Sequence, residues 1–98
     1  MINLKCVAVY LEPLFIKHGI KRAIVFGSYA KGTASENSDI DIVIDSKGLL
    51  DGINFFTAQY ELSKALPVKS DIYEQMEIKE GSALHSEIIK YGVVIYEQ

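Results

Sequence analysis

The sequence predicts an α/β (α+β) fold: a small mixed β-sheet packed by helices. Three observations carry this. Apolar residues recur at helical spacing near the start, middle and end of the chain. Short apolar or alternating runs lie between those stretches and read as strands. Glycine and proline punctuate the joins. Helices interleaved with strands can bury their apolar faces against one shared sheet.

Residues 2–18 carry Leu4, Val7, Leu11, Leu14 and Phe15 at helical spacing, which predicts an amphipathic helix. Pro13 interrupts the pattern and is expected to kink the helix or to open a new turn. His18-Gly19 closes it by a glycine cap. Residues 20–26 end in Ala23-Ile24-Val25-Phe26, a buried strand closed by Gly27. Residues 28–33 are small and polar, with Gly32 as a breaker, and 34–38 form a loop. Residues 39–45 alternate with period two. Ile40, Ile42 and Ile44 face one way, and Asp39, Asp41, Val43 and Asp45 the other. A loop over 46–52 leads to a helix over 53–65, with Ile53, Phe56, Tyr60 and Leu62 at helical spacing and Pro67 as its stop. Val68–Tyr73 is a third strand, with Asp71 on the face opposite Val68 and Ile72. Ser82–Tyr91 reads as a last helix ended by Gly92, and residues 93–96 as a terminal strand or extended tail.

The chain has 98 residues, 49% of them hydrophobic and 23% charged, which is a globular balance. Residues 1–98 are therefore expected to form a single domain. Lys plus Arg is 10 against 13 for Asp plus Glu, a formal charge of −3. That mild acidity argues against a domain built mainly to grip nucleic acid. The lone Cys6 cannot form an internal disulfide, which fits a reducing cytoplasm. Cys6 lies near the first helix's apolar stripe and is expected in the core. No apolar run approaches the length of a membrane span, and the opening residues lack the pattern expected of a signal peptide.

The chemically informative stretch is Gly27-Ser28-Tyr29-Ala30-Lys31-Gly32 followed by Ser38-Asp39-Ile40-Asp41. A glycine ending a buried strand lets backbone N–H groups approach a ligand, and the following turn suits a phosphate. Asp39 and Asp41 project from one strand face, where they repel unless a cation sits between them. A hard ion with oxygen ligands, Mg²⁺ or Mn²⁺, is the natural occupant. Asp71 is the expected third acid, from a neighbouring strand. The Walker pattern fails, because Thr33 rather than lysine follows Gly32. Taken separately, a glycine turn and a solvated strand face are ordinary features; the spacing makes them a site. Asp45 is expected to be solvated. His18 and His85 have no metal-ligand spacing and are expected at the surface or as caps. Lys17, Lys21 and Arg22 read as a solvated helix end. Tyr29 has two readings, stacking on a base or packing under the loop.

Gly27-Ser28, ten residues, then Asp39-Ile40-Asp41 resembles the signature of the nucleotidyltransferase superfamily related to polymerase β. The string GSYAKGTASENSDIDIVI is similar to that of the minimal nucleotidyltransferases (MNT), many of them antitoxins paired with HEPN-domain ribonuclease toxins. The resemblance implies the nucleotidyltransferase fold, with Gly27, Ser28 and Lys31 binding the nucleotide. It implies that Asp39, Asp41 and Asp71 are catalytic and hold two Mg²⁺ ions, with ATP as substrate. It also implies transfer of AMP to a tyrosine hydroxyl of the cognate HEPN toxin, silencing it. Lys31 departs from the arginine of many relatives and loses its bidentate fork. Two other readings stand beside this one: an antitoxin acting by occlusion alone, and transfer to RNA or a small molecule. A domain this short has little surface for choosing an acceptor, so a partner polypeptide is expected to supply recognition.

Overall fold

The structure, a computed structural model, describes residues 2–98. Its elements alternate along the chain: α1 (Leu4–Lys17), β1 (Arg22–Phe26), α2 (Ser28–Lys31), β2 (Ile40–Asp45), α3 (Gly52–Ala65), β3 (Ser70–Glu74), a 3₁₀ turn (Gln75–Glu77), α4 (Ala83–Tyr91) and β4 (Val93–Glu97). The four strands form one sheet in the order β3-β2-β1-β4. β1 runs antiparallel to both β2 and β4, and β2 runs parallel to β3. The mixed α/β fold expected from the sequence is the one observed.

The core lies on the sheet face where Ala23, Val25, Ile40, Ile42, Ile44 and Ile72 meet α1 and α3. From α1 it takes Val7, Leu11 and Phe15, spaced four residues apart on one face. Cys6 is exposed, not in the core. One residue's step is about 100° around a helix, which turns Cys6 away from the Val7 stripe. Pro13 lies inside α1 without splitting it. It removes the helical donor of the Val9 carbonyl, and both residues sit on the exposed face of the helix. The helix then ends in a Schellman cap: Gly19 has φ +68°, its N–H reaches the Ile16 carbonyl, and Ile20 N–H reaches Phe15. Ile20 and Phe15 are both fully buried, completing the cap's apolar contact.

Two further expectations change. Helix α3 turns only Leu62 of its expected stripe inward and packs Phe55 against the core. Ala58 and Leu62 are its buried residues, whereas Ile53, Phe56 and Tyr60 are 78%, 64% and 57% exposed. Asp45 is buried rather than solvated. It ends a central strand, lies opposite Arg22, and takes Lys47 Nζ at 3.3 Å and the Lys47 N–H at 2.9 Å. The last helix ends at Gly92, as expected, with φ −61°. A side chain there would strike the Ile88 carbonyl and Ile24, so this glycine is a packing requirement.

Candidate active site

Strand directions gather the predicted residues at one end of the sheet. β1 ends where antiparallel β2 begins, so Phe26 is paired with Asp41 and Gly27 follows directly. β3 begins beside the start of β2, which pairs Asp41 with Asp71. Adjacent strands lie about 4.8 Å apart, and paired residues in a parallel ladder point to the same face. Asp41 and Asp71 are therefore neighbours on the face opposite the main core. Asp39 lies one residue ahead of β2 and is exposed. A turn in which the Ser35 N–H donates to Ser38 Oγ at 2.9 Å leads into it.

Gly27 is buried, with φ +74°. A Cβ there would collide with Asp41 Oδ2. The glycine is thus needed twice, for its left-handed backbone and for the space the carboxylate fills. The chain then turns directly into α2, whose first N–H groups have no partner within the helix. Lys31 N–H donates to the Gly27 carbonyl, and Gly32 closes the turn at φ +77°. Tyr29 is buried among the core residues, which settles its two readings in favour of packing under the loop.

The electrostatics centre on Asp41. Burial first, and then the charges of Asp71, Asp39 and Glu87, raise its carboxyl to about 6 from an ordinary value of 3.8. Tyr73, on the same face, is raised by burial and by Asp71 and Asp41. Its ring stacks at 5.6 Å on that of Phe26. Lys31 does not extend freely over the turn. Its Nζ meets Glu87 of α4 at 2.7 Å and sits 4.9 Å from the Tyr91 ring. The Glu87 hydrogen bond is the main cause of its raised pKa. Glu87 and Tyr91 escaped sequence reasoning, since no short-range motif signals a contact fifty-odd residues away.

His18 bonds Glu61 at 2.8 Å, and His85 Nδ1 accepts the Gly81 N–H at 3.0 Å, so both histidines serve structural contacts. Lys17 also pairs with Glu61, and Arg22 lies beside Asp45 and Glu97. Among the described residues, no three His, Cys, Asp or Glu side chains close on one point. The donor chemistry nevertheless suits a hard cation. Asp41 and Asp71 offer oxygen atoms only, and their mutual repulsion is the charge a divalent ion relieves.

This is the fold of nucleotidyltransferases. The profile described as polymerase beta, nucleotidyltransferase matches residues 10–98, and the chain belongs to that family. A Methanocaldococcus jannaschii protein described as a candidate protein adenylyltransferase is 43% identical over 63 residues, 61% of this chain and 64% of that protein. The protein adenylyltransferase MntA of Thermococcus cleftensis is 31% identical over 67 residues, 68% of each. The chain thus matches 64% and 68% of these relatives' lengths. A toxin–antitoxin crystal structure with AMP-PNP superposes with a TM-score of 0.77 at 24% identity, covering 93% of this chain and 73% of that one. The complex of a tri-AMPylated Shewanella oneidensis HEPN toxin with its MNT antitoxin gives 0.72 at 18% identity, over 97% and 73%. At such identities the solved structures establish the shared fold.

Proposed function

We propose that this domain, residues 1–98, is an MNT antitoxin that transfers AMP from ATP to a tyrosine hydroxyl of a HEPN ribonuclease toxin in the cytoplasm. The observation that carries the reading is the Asp41–Asp71 pair set beside the Gly27 turn. The relatives named protein adenylyltransferase support the reaction class. Among the described residues no helix is long and apolar enough to cross a membrane.

The backbone N–H groups after Gly27 and the Ser28 hydroxyl hold the triphosphate. Lys31 neutralises it after leaving Glu87. Asp71 accepts the acceptor hydroxyl's proton. The hydroxyl oxygen bonds to the α-phosphorus, the bond from that phosphorus to the bridging oxygen breaks, and pyrophosphate leaves with the bond's electrons. Asp39, Asp41 and Asp71 would hold two Mg²⁺ ions, which when bound supply charge stabilisation to the phosphoryl oxygens.

Incubation with MgATP and the partner toxin, followed by intact mass, tests this. An AMP-sized gain on the toxin, lost in the Asp39→Asn plus Asp41→Asn double variant, is expected. A folded, toxin-binding double variant that neutralises as well as the parent would identify occlusion as the mechanism instead.

A further inference from the structure

Among the described residues β3 pairs only with β2, so its outer edge is an open strand edge. The Lys69 carbonyl accepts from Ile40 N–H, so the odd-numbered backbone groups of this stretch face β2. Alternation then turns those of Ser70 and Ile72 outward. Gln59 of α3 confirms the direction by donating to the Ile72 carbonyl at 2.9 Å. Beside this edge runs a groove of about 490 Å³ whose lining includes Phe56, Tyr60, Asp71, Tyr73 and Glu77. It holds two carboxylates and, among its lining residues, no lysine or arginine. Its outer wall includes two of the three exposed apolar side chains of α3, Phe56 and Tyr60, the latter with Lys64 Nζ 5.6 Å from its ring.

We propose that the β3 edge and its aromatic groove dock an extended, basic, hydroxyl-bearing polypeptide segment as an added strand, delivering its hydroxyl to Asp71. Strand addition takes affinity from main-chain bonds and specificity from pockets for alternate side chains. Ser70 supplies its N–H and carbonyl, and Ile72 its N–H. Phe56 and Tyr60 supply the apolar surface. Glu77 selects a lysine or arginine flanking the hydroxyl residue. Gln59 occupies the Ile72 carbonyl and keeps the edge from pairing indiscriminately. The delivery step rests on the transferase reading above, whereas docking is separable from it.

The test uses the ¹⁵N-labelled full chain and the end-blocked peptide Lys-Val-Tyr-Val-Lys. Saturable shifts at Ser70 and Ile72 are expected, with Ile72 N–H exchange slowed at least about tenfold at saturation. The Phe56→Ala plus Tyr60→Ala variant, altered only at exposed positions, should bind about tenfold more weakly. A Glu-for-Lys peptide should lose at least as much. Absence of binding, shifts confined to other surfaces, or unchanged Ile72 exchange would each overturn the proposal. So would concentration-dependent protection of Ile72 without peptide, which would make a second copy the occupant. Intact mass after adding MgATP and the toxin separates the two readings. Ile72 protection without AMP transfer to either acceptor sinks the transferase reading alone. Transfer without Ile72 protection sinks the docking proposal alone.

Discussion

At the scale of single residues, Gly27 and Asp41 form one unit. Gly27→Ala must carry a left-handed backbone and push Asp41 aside. A cost of about 2–3 kcal/mol is expected, with AMP transfer lost. Gly32→Ala shares the positive φ but meets open space, so about 1 kcal/mol is expected there. Urea unfolding of both variants checks the difference. Asp41 also gives stability a pH slope. Its folded value, about 6, exceeds the ordinary 3.8. Between those limits the folded state keeps a proton that the unfolded state releases, so stability falls as pH rises through that window. The full shift corresponds to roughly 3 kcal/mol. Partial exposure screens it to about 1–2 kcal/mol. Asp41→Asn should therefore flatten the curve between pH 4 and 6 and be the more stable protein at pH 7. Urea melts in EDTA across that range measure both. The need for glycine at position 27 was legible from the sequence, because a strand end followed by small residues and two spaced aspartates has few other uses. The repulsion behind the shift on Asp41 was legible in part, from Asp39, whereas its largest cause, burial, and the charge of Glu87 from α4 were not.

At the scale of elements, period identifies a helix more surely than it identifies the buried face. α1 and α3 were both legible as helices. In α1 the residues that alternate inward are large and apolar, so its core face could be read as well. In α3 the large apolar residues Ile53, Phe56 and Tyr60 point outward, and the inward face is Ala58 and Leu62 with Phe55 packed beside them. Large apolar residues thus lie on both faces, so bulk alone did not separate them. The expected consequence is an inverted mutational profile. Phe56→Ala should change unfolding free energy by within about 0.5 kcal/mol. Leu62→Ala should cost about 2–5 kcal/mol. Thermal and urea unfolding of the two variants decide which face carries the packing. Asp45 escaped for a related reason. Its alternation marked a polar face, but a central strand has neighbours on both sides, and Arg22 and Lys47 close over the carboxylate.

At the scale of the whole molecule, the topology concentrates unfavourable charge at one sheet end. Antiparallel β1–β2 and parallel β2–β3 bring Gly27, Asp41 and Asp71 together, and Asp39 adds a further carboxylate just before β2. The chain already carries a net charge of −3. Folding therefore builds in a local repulsion that a bound cation would offset. A ligand that binds only the folded state stabilises it by mass action, by about 1.4 kcal/mol at roughly ten times its Kd. In a domain of this size that raises Tm by about 5–10 °C. Mg²⁺ should produce such a rise at pH 7 and a smaller one at pH 5, where the Asp41 proton competes with the ion. EDTA should reverse it. The Asp41→Asn plus Asp71→Asn variant should melt higher than the parent without Mg²⁺ and respond little to its addition. Calorimetric melts with and without Mg²⁺ measure all four responses. A parent Tm that is indifferent to Mg²⁺, alone and with ATP, would separate the paired carboxylates from metal binding and leave them as an unrelieved cost of the fold.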